Sequence, residues 1–204
     1  MYAETRAETG LARMSPAVRA ALGKVERHRL VPPAEVSRAY RNHPLPIGEG
    51  QTISQPYIVA LSTDLLGVDA KSIVLDVGTG SGYQAAVLAE IAAQVFSVEI
   101  VAPLGRQAAE RLQALGYRNV EVRIGDGYKG WPEKAPFDAI VVTAAAPEVP
   151  KALVEQLKPG GRMVIPVGGN GAAQYLKVLT RRADGGYDER RVLPVRFVPL
   201  VPGK

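Results

Sequence analysis

The 204-residue chain contains no cysteine and only two histidines, His28 and His43. The first absence excludes disulfides, zinc–thiolate centres and a cysteine nucleophile. The second leaves little room for imidazole proton transfer. No run approaches the roughly 18 apolar residues of a membrane span, no amino-terminal stretch has a signal peptide's apolar centre, and neither an internal repeat nor a low-complexity tract is present. These absences predict a cytoplasmic protein without a membrane partner. What remains is an ordinary globular composition, 47% apolar, read as one domain over 1–204 with enough chain for a full core.

The net charge of +5 is uneven. Residues 1–43 hold eight basic and four acidic side chains, against 17 and 16 in residues 44–204. The amino-terminal charges alternate with Leu11, Met14, Val18, Leu22, Val25 and Leu30 at near-helical spacing, so a solvated helix face accounts for them better than a nucleic-acid contact.

Ile73 to Val77 is almost continuously apolar, as in a parallel strand buried on both faces. It ends in Asp76-Val77-Gly78-Thr79-Gly80-Ser81-Gly82, which leads into a helical pattern. A dinucleotide fingerprint needs a third glycine at position 83, where Tyr83 stands, so a pyrophosphate turn is the weaker reading. Glu99, 21 residues after Gly78, suits a carboxylate accepting from two ribose hydroxyls at the second strand tip. Asp126, in Gly125-Asp126-Gly127, would end the third strand within reach of an adenine amino group. Asp76 is read as either a ligand to an ammonium or a cap for the next helix.

Strands are predicted at 72–77, 94–99, 120–124, 137–143 and 162–167, and helices at 83–92, 102–115 and 149–157. This alternation specifies a doubly wound, Rossmann-like α/β sheet. Segments 174–182 and 187–200, around Asp184-Gly185-Gly186, predict an antiparallel hairpin at one edge. Residues 1–35 read as amphipathic helices broken at Ser15-Pro16 and stopped at Pro32-Pro33, forming a cap. Residues 41–55 read as an irregular loop and 55–66 as a helix. The cap and loop fill 1–70, and the α/β core fills 71–204. Gly168 to Gly171 reads as a plain loop.

The Asp-x-Gly-x-Gly-x-Gly run resembles motif I of the class I S-adenosylmethionine-dependent methyltransferases. Leu45 to Pro56, Gly78 to Ala89, Gly125-Asp126-Gly127, Ala135 to Asp138 and Pro194 to Leu200 together resemble the protein-L-isoaspartate O-methyltransferase family from about Arg29 to Leu200. That resemblance implies a class I methyltransferase fold and methyl transfer from S-adenosyl-L-methionine to the free α-carboxylate of isoaspartyl residues in peptides and proteins. The ester then collapses to a succinimide, which begins repair. It implies no nucleic acid, no metal, and a monomer.

The cofactor-binding residues implied are Thr52, Ile53, Asp76, Gly78, Gly80, Ser81, Gly82, Glu99, Ile100, Asp126, Gly127 and Thr143. Gln51, Ser54 and Arg196 are implied on the substrate side. Ser54 matches the family's active-site serine, and its hydroxyl can donate to the substrate carboxylate; its plainer role is to cap the helix beginning near Gln55-Pro56. Arg196 reads equally as an edge-strand surface charge. Val59 departs from relatives that place a histidine there to hold the cofactor. A carboxylate is already ionised at neutral pH, so no base is required. Of two rival classes, a nucleic-acid methylase would carry Asn-Pro-Pro-Tyr or Asp-Pro-Pro-Tyr where Thr143 to Pro147 stands. A binding module without catalysis would be expected to lose the Gly50 to Pro56 motif, which is intact.

Overall fold

A computed structural model describes residues 14–169 and 173–203. Helix α1 (Pro16–Lys24) begins where the sequence reading placed a break: Ser15 is its N-cap, accepting from the Val18 N–H, with Pro16 in the first turn. Proline is tolerated there because that N–H has no intrahelical partner. Two 3-10 turns follow, Arg27–Leu30 and Pro33–Arg38, so the second half of the cap is more tightly wound than the α-helix expected. Residues 1–13 of the expected cap lie outside the described residues, as do 170–171 of the Gly168 to Gly171 loop.

The segment read as an irregular loop holds an antiparallel hairpin, β1 (Leu45–Gly48) and β2 (Gln51–Ile53), pairing Leu45 with Ile53. Its turn runs through Gly48-Glu49-Gly50, with Glu49 itself at φ 52. Helix α2 (Pro56–Leu66) follows.

The core is a seven-stranded sheet in the order β5-β4-β3-β6-β7-β8-β9. Its strands are β3 (Ile73–Val77), β4 (Gln94–Glu99), β5 (Val120–Ile124), β6 (Phe137–Val142), β7 (Leu157–Val167), β8 (Gln174–Arg181) and β9 (Tyr187–Val195). The first five are parallel; β8 and β9 run antiparallel at one edge. Helices α3 (Tyr83–Ala89), α4 (Ala102–Ala114) and α5 (Lys151–Glu155) make the crossovers. β7 starts five residues earlier than expected, and α5 is shorter at both ends.

Side chains alternate across the sheet, as strand geometry requires. Val74, Val95, Ala139, Val141 and Val164 face one core with α1, α2 and α3. Leu75, Val77, Phe96, Ile140, Val142 and Met163 face the other, with α5 and Trp131. The sheet order reverses between β3 and β6, so the loops after these two strands flank a crevice at their carboxyl ends, the usual ligand position of such sheets.

Beyond β9 the chain returns to this crevice. The Ala145 N–H donates to Val198 O and the Leu200 N–H to Ala145 O, each at 2.8 Å. At the far end of the edge hairpin, Gly186 N–H and Arg182 Nε–H donate to Asp184 Oδ1 at 2.9 and 3.2 Å. There the Gly185 N–H donates to Arg182 O at 3.2 Å.

Candidate active site

The turn after β3 is held from three sides. Gly80 N–H donates to Glu99 Oε2 at 2.7 Å, and Val101 N–H to Glu99 Oε1 at 2.9 Å, so the carboxylate ends β4 and ties the turn to the start of α4. Thr143 Oγ1 donates to Gly78 O at 2.7 Å and lies 3.1 Å from Val77 O. Gly78 has φ +101, and a Cβ there would sit 2.4 Å from Thr143 Oγ1. Only glycine fits that backbone and that space.

Beneath the turn, the β3–β4 register sets Asp76 beside Ser97. Ser97 Oγ donates to Asp76 Oδ2 at 2.8 Å and lies 2.6 Å from Thr79 Oγ1. Asp76 is fully buried, and its Oδ1 has no hydrogen-bond partner. Burial, with Ser97 opposing and the Glu99 charge adding, raises its carboxyl to about 7. An acid kept near neutrality in this way fits an unpaired buried oxygen.

Two cavities open at the crevice. The inner one, about 120 Å³, is walled by Gln51, Thr52, Gly78, Gly80, Glu99, Ile100, Gly127 and Thr143, with Val198 to Val201 across from them. The outer one, about 520 Å³, is walled by Ser54, Gln55, Tyr57, Ile58, Leu193 and Arg196 to Val198, among others. Thr52, Thr143 and Val198 belong to both walls. The inner volume lies below the ~300–1,000 Å³ usual for small-molecule sites. A nucleoside-sized ligand must therefore displace wall segments or extend past the shared residues into the outer cavity. Among the described residues no three His, Cys, Asp or Glu side chains cluster as metal ligands.

Residues 4–204 match the family model described as Protein-L-isoaspartate(D-aspartate) O-methyltransferase. The chain belongs to that family. A relative from Polaromonas sp. (strain JS666), named Protein-L-isoaspartate O-methyltransferase 2, is 59% identical over 97% of this chain and 93% of its own. One from Nitrosospira multiformis, named Protein-L-isoaspartate O-methyltransferase 1, is 59% identical over 100% and 86%. A solved protein-L-isoaspartate O-methyltransferase superposes with TM-score 0.86 at 29% identity, covering 98% of this chain and 65% of that one. A putative family member from Plasmodium falciparum, in complex with S-adenosyl-L-homocysteine, superposes with TM-score 0.79 at 27% identity, covering 97% and 95%. The family's fold is thus the sheet described above.

Within this isoaspartate methyltransferase framework, the expected site residues separate. Thr52, Gly78, Gly80, Glu99, Ile100, Gly127 and Thr143 line the inner cavity. Gln51, expected on the substrate side, lines it too, because the β1–β2 turn folds over the glycine turn. Ser54 and Arg196 line the outer cavity. Five expected cofactor residues lie off both sets of walls. Ile53 points into the core beside Leu45. Asp76 is beneath the turn, and it does not cap α3, whose N-cap is Gly82 without a side-chain bond. Ser81 is buried and accepts from the Tyr83 N–H. Gly82 is left-handed, and a Cβ there would press on Leu112 of α4, so it serves helix packing. Asp126 accepts from the Tyr128 N–H, capping its own 3-10 turn.

The capping reading of Ser54 is also corrected. Gln55 occupies the N-cap of α2, with no side-chain cap bond, and Ser54 precedes it. Neither histidine is on a wall: His28 pairs with the Tyr40 hydroxyl and His43 with Pro44 O. Two residues went unread in the sequence, Thr79 and Ser97. The signal for Ser97 was a polar side chain within a buried strand, where one is seldom found without a partner; Thr79 lies in the glycine turn, and only the fold brings it to Ser97.

Proposed function

We propose that this chain transfers a methyl group from S-adenosylmethionine to the free α-carboxylate of L-isoaspartyl residues in peptides and proteins, the activity for which its relatives are named. The observation that carries this reading is the pair of adjoining cavities, one built on a glycine turn and a strand-tip carboxylate, the other bearing a free hydroxyl. The residues fit the cofactor: Gly78, where a Cβ would collide with Thr143 of the same wall, gives bare backbone to the inner cavity, and Glu99 keeps unused lone pairs on both carboxylate oxygens for hydroxyl donors. When bound, the cofactor supplies a sulfonium methyl, an electrophile that needs no acid to activate it.

The chain's own part is positioning. Glu99, Gly78 and Gly80 hold one partner in the inner cavity. Ser54 Oγ–H donates to one oxygen of the substrate carboxylate and sets the other toward the shared wall. Thr52, Thr143 and Val198 stand at that boundary, where alignment and desolvation govern the rate. No proton moves, and neither cavity wall offers a histidine for moving one.

The test uses two peptides identical except for isoaspartyl or aspartyl at one position, with isotopically labelled S-adenosylmethionine. The aspartyl carboxylate is displaced by one methylene relative to its flanking amides, and a misplacement of about 1 Å costs about 100-fold. The expected result is a kcat/KM ratio of at least that size. Equal methylation of both peptides would overturn the proposal.

A further inference from the structure

Among the described residues, Arg196 is the one charged side chain on the walls of the outer cavity. It is exposed, and it makes neither an ion pair nor a hydrogen bond with any described residue. The acids near it in sequence are already engaged: Glu189 with Lys177 at 2.8 Å and Asp188 with Arg182 at 2.8 Å. The obvious use of Arg196 would be to grip the reacting carboxylate. Charge bookkeeping argues against this. In the proposed transfer a carboxylate oxygen bonds to the methyl carbon while the carbon–sulfur bond breaks and its electron pair goes to sulfur, so an anion and a cation become a neutral ester and a thioether. A guanidinium on that anion stabilises the reactants more than the transition state and slows the step. The neutral Ser54 hydroxyl carries a smaller penalty of this kind.

A cation in the cavity therefore serves a charge that does not react. Resting on the isoaspartyl reading, we infer that Arg196 is a specificity residue. It selects peptides carrying a second carboxylate, from Asp or Glu, beside the isoaspartyl residue.

The test compares isoaspartyl peptides with Glu, Gln or Lys at the neighbouring positions, using the wild-type enzyme, Arg196→Gln and Arg196→Glu. For the wild type, kcat/KM should fall from Glu to Gln to Lys by about 1.4- to 5-fold per step, the span of an exposed ion pair. The differences should reside in KM and shrink at about 0.5 M salt. Arg196→Gln should level the series and Arg196→Glu should reverse it. An unchanged order in all three proteins overturns the inference. So does a loss of kcat in Arg196→Gln that is equal for every peptide, since that would assign Arg196 to the reacting carboxylate. If the wild type binds S-adenosylmethionine yet methylates none of the peptides, the isoaspartyl reading itself fails, and the inference with it.

Discussion

The inner and outer cavities share three wall residues but are built on opposite plans. In the inner one, the polar groups that hold the walls are already engaged with the protein: Glu99 accepts two backbone N–H groups, Thr143 serves two carbonyls, and Gly78 has no spare volume. In the outer one, the chemically relevant side chains, Ser54 and Arg196, bond to none of the described residues. A wall that doubles as scaffold cannot be changed without cost to folding; a wall that is only presented can.

The sharpest test of this contrast is Gly78→Ala. The left-handed backbone and the contact with Thr143 Oγ1 should together cost about 3 kcal/mol or more, read by urea denaturation, with cofactor binding lost in parallel. A stable, binding-competent variant would break the comparison. Next is Glu99→Ala. Its two backbone partners, Gly80 and Val101, are stranded without it. It should lower cofactor affinity by about 1.5–3 kcal/mol by calorimetry, and folding stability by a similar amount.

Asp76→Asn sharpens the inner half further. The folded carboxyl at about 7 lies above its unfolded value, so the folded state holds a proton that the unfolded state has lost. Its contribution is full below about pH 4, falls as pH rises to about 7, and is level above that. Urea titrations should show the asparagine variant gaining on wild type across that window by up to ~1.4 kcal/mol per pH unit. Parallel profiles would show that the carboxyl is ionised throughout. The smallest effect on folding belongs to Ser54→Ala. With no cap to lose, its stability should stay within about 0.5 kcal/mol of wild type, while turnover falls more than cofactor affinity does.

The same division explains what was legible in advance. Strand β4 falls where its apolar run places it, because a strand buried on both faces writes its full length into the sequence; β5, at the sheet edge and only partly buried, also falls at its expected bounds. The hairpin β1–β2 was hidden: Pro46 and the closely set Gly48 and Gly50 punctuate a strand pair only a few residues long, and they read as loop. At the site, glycine spacing and Glu99 revealed the inner cavity, since steric and charge demands there admit few residue types. Local spacing could not show that Ser81, Gly82 and Asp126 answer to their own turns. Nor could it show that Val198 to Val201 closes the crevice, because that wall depends on a return of the chain more than 100 residues after the glycine turn.

The β8–β9 turn bears on chemical ageing. Asp184-Gly185 is a step of the kind that isomerises: the glycine nitrogen attacks the aspartyl side-chain carbonyl, water leaves, and hydrolysis by a second water reopens the ring into a kinked linkage. Both reacting groups are occupied here. The Gly185 N–H donates to Arg182 O, and the Gly186 N–H together with Arg182 holds the Asp184 carboxyl below the usual carboxylate range. An ionised carboxylate is a poor electrophile, so the fold slows at this turn the lesion that its cavities are suited to repair.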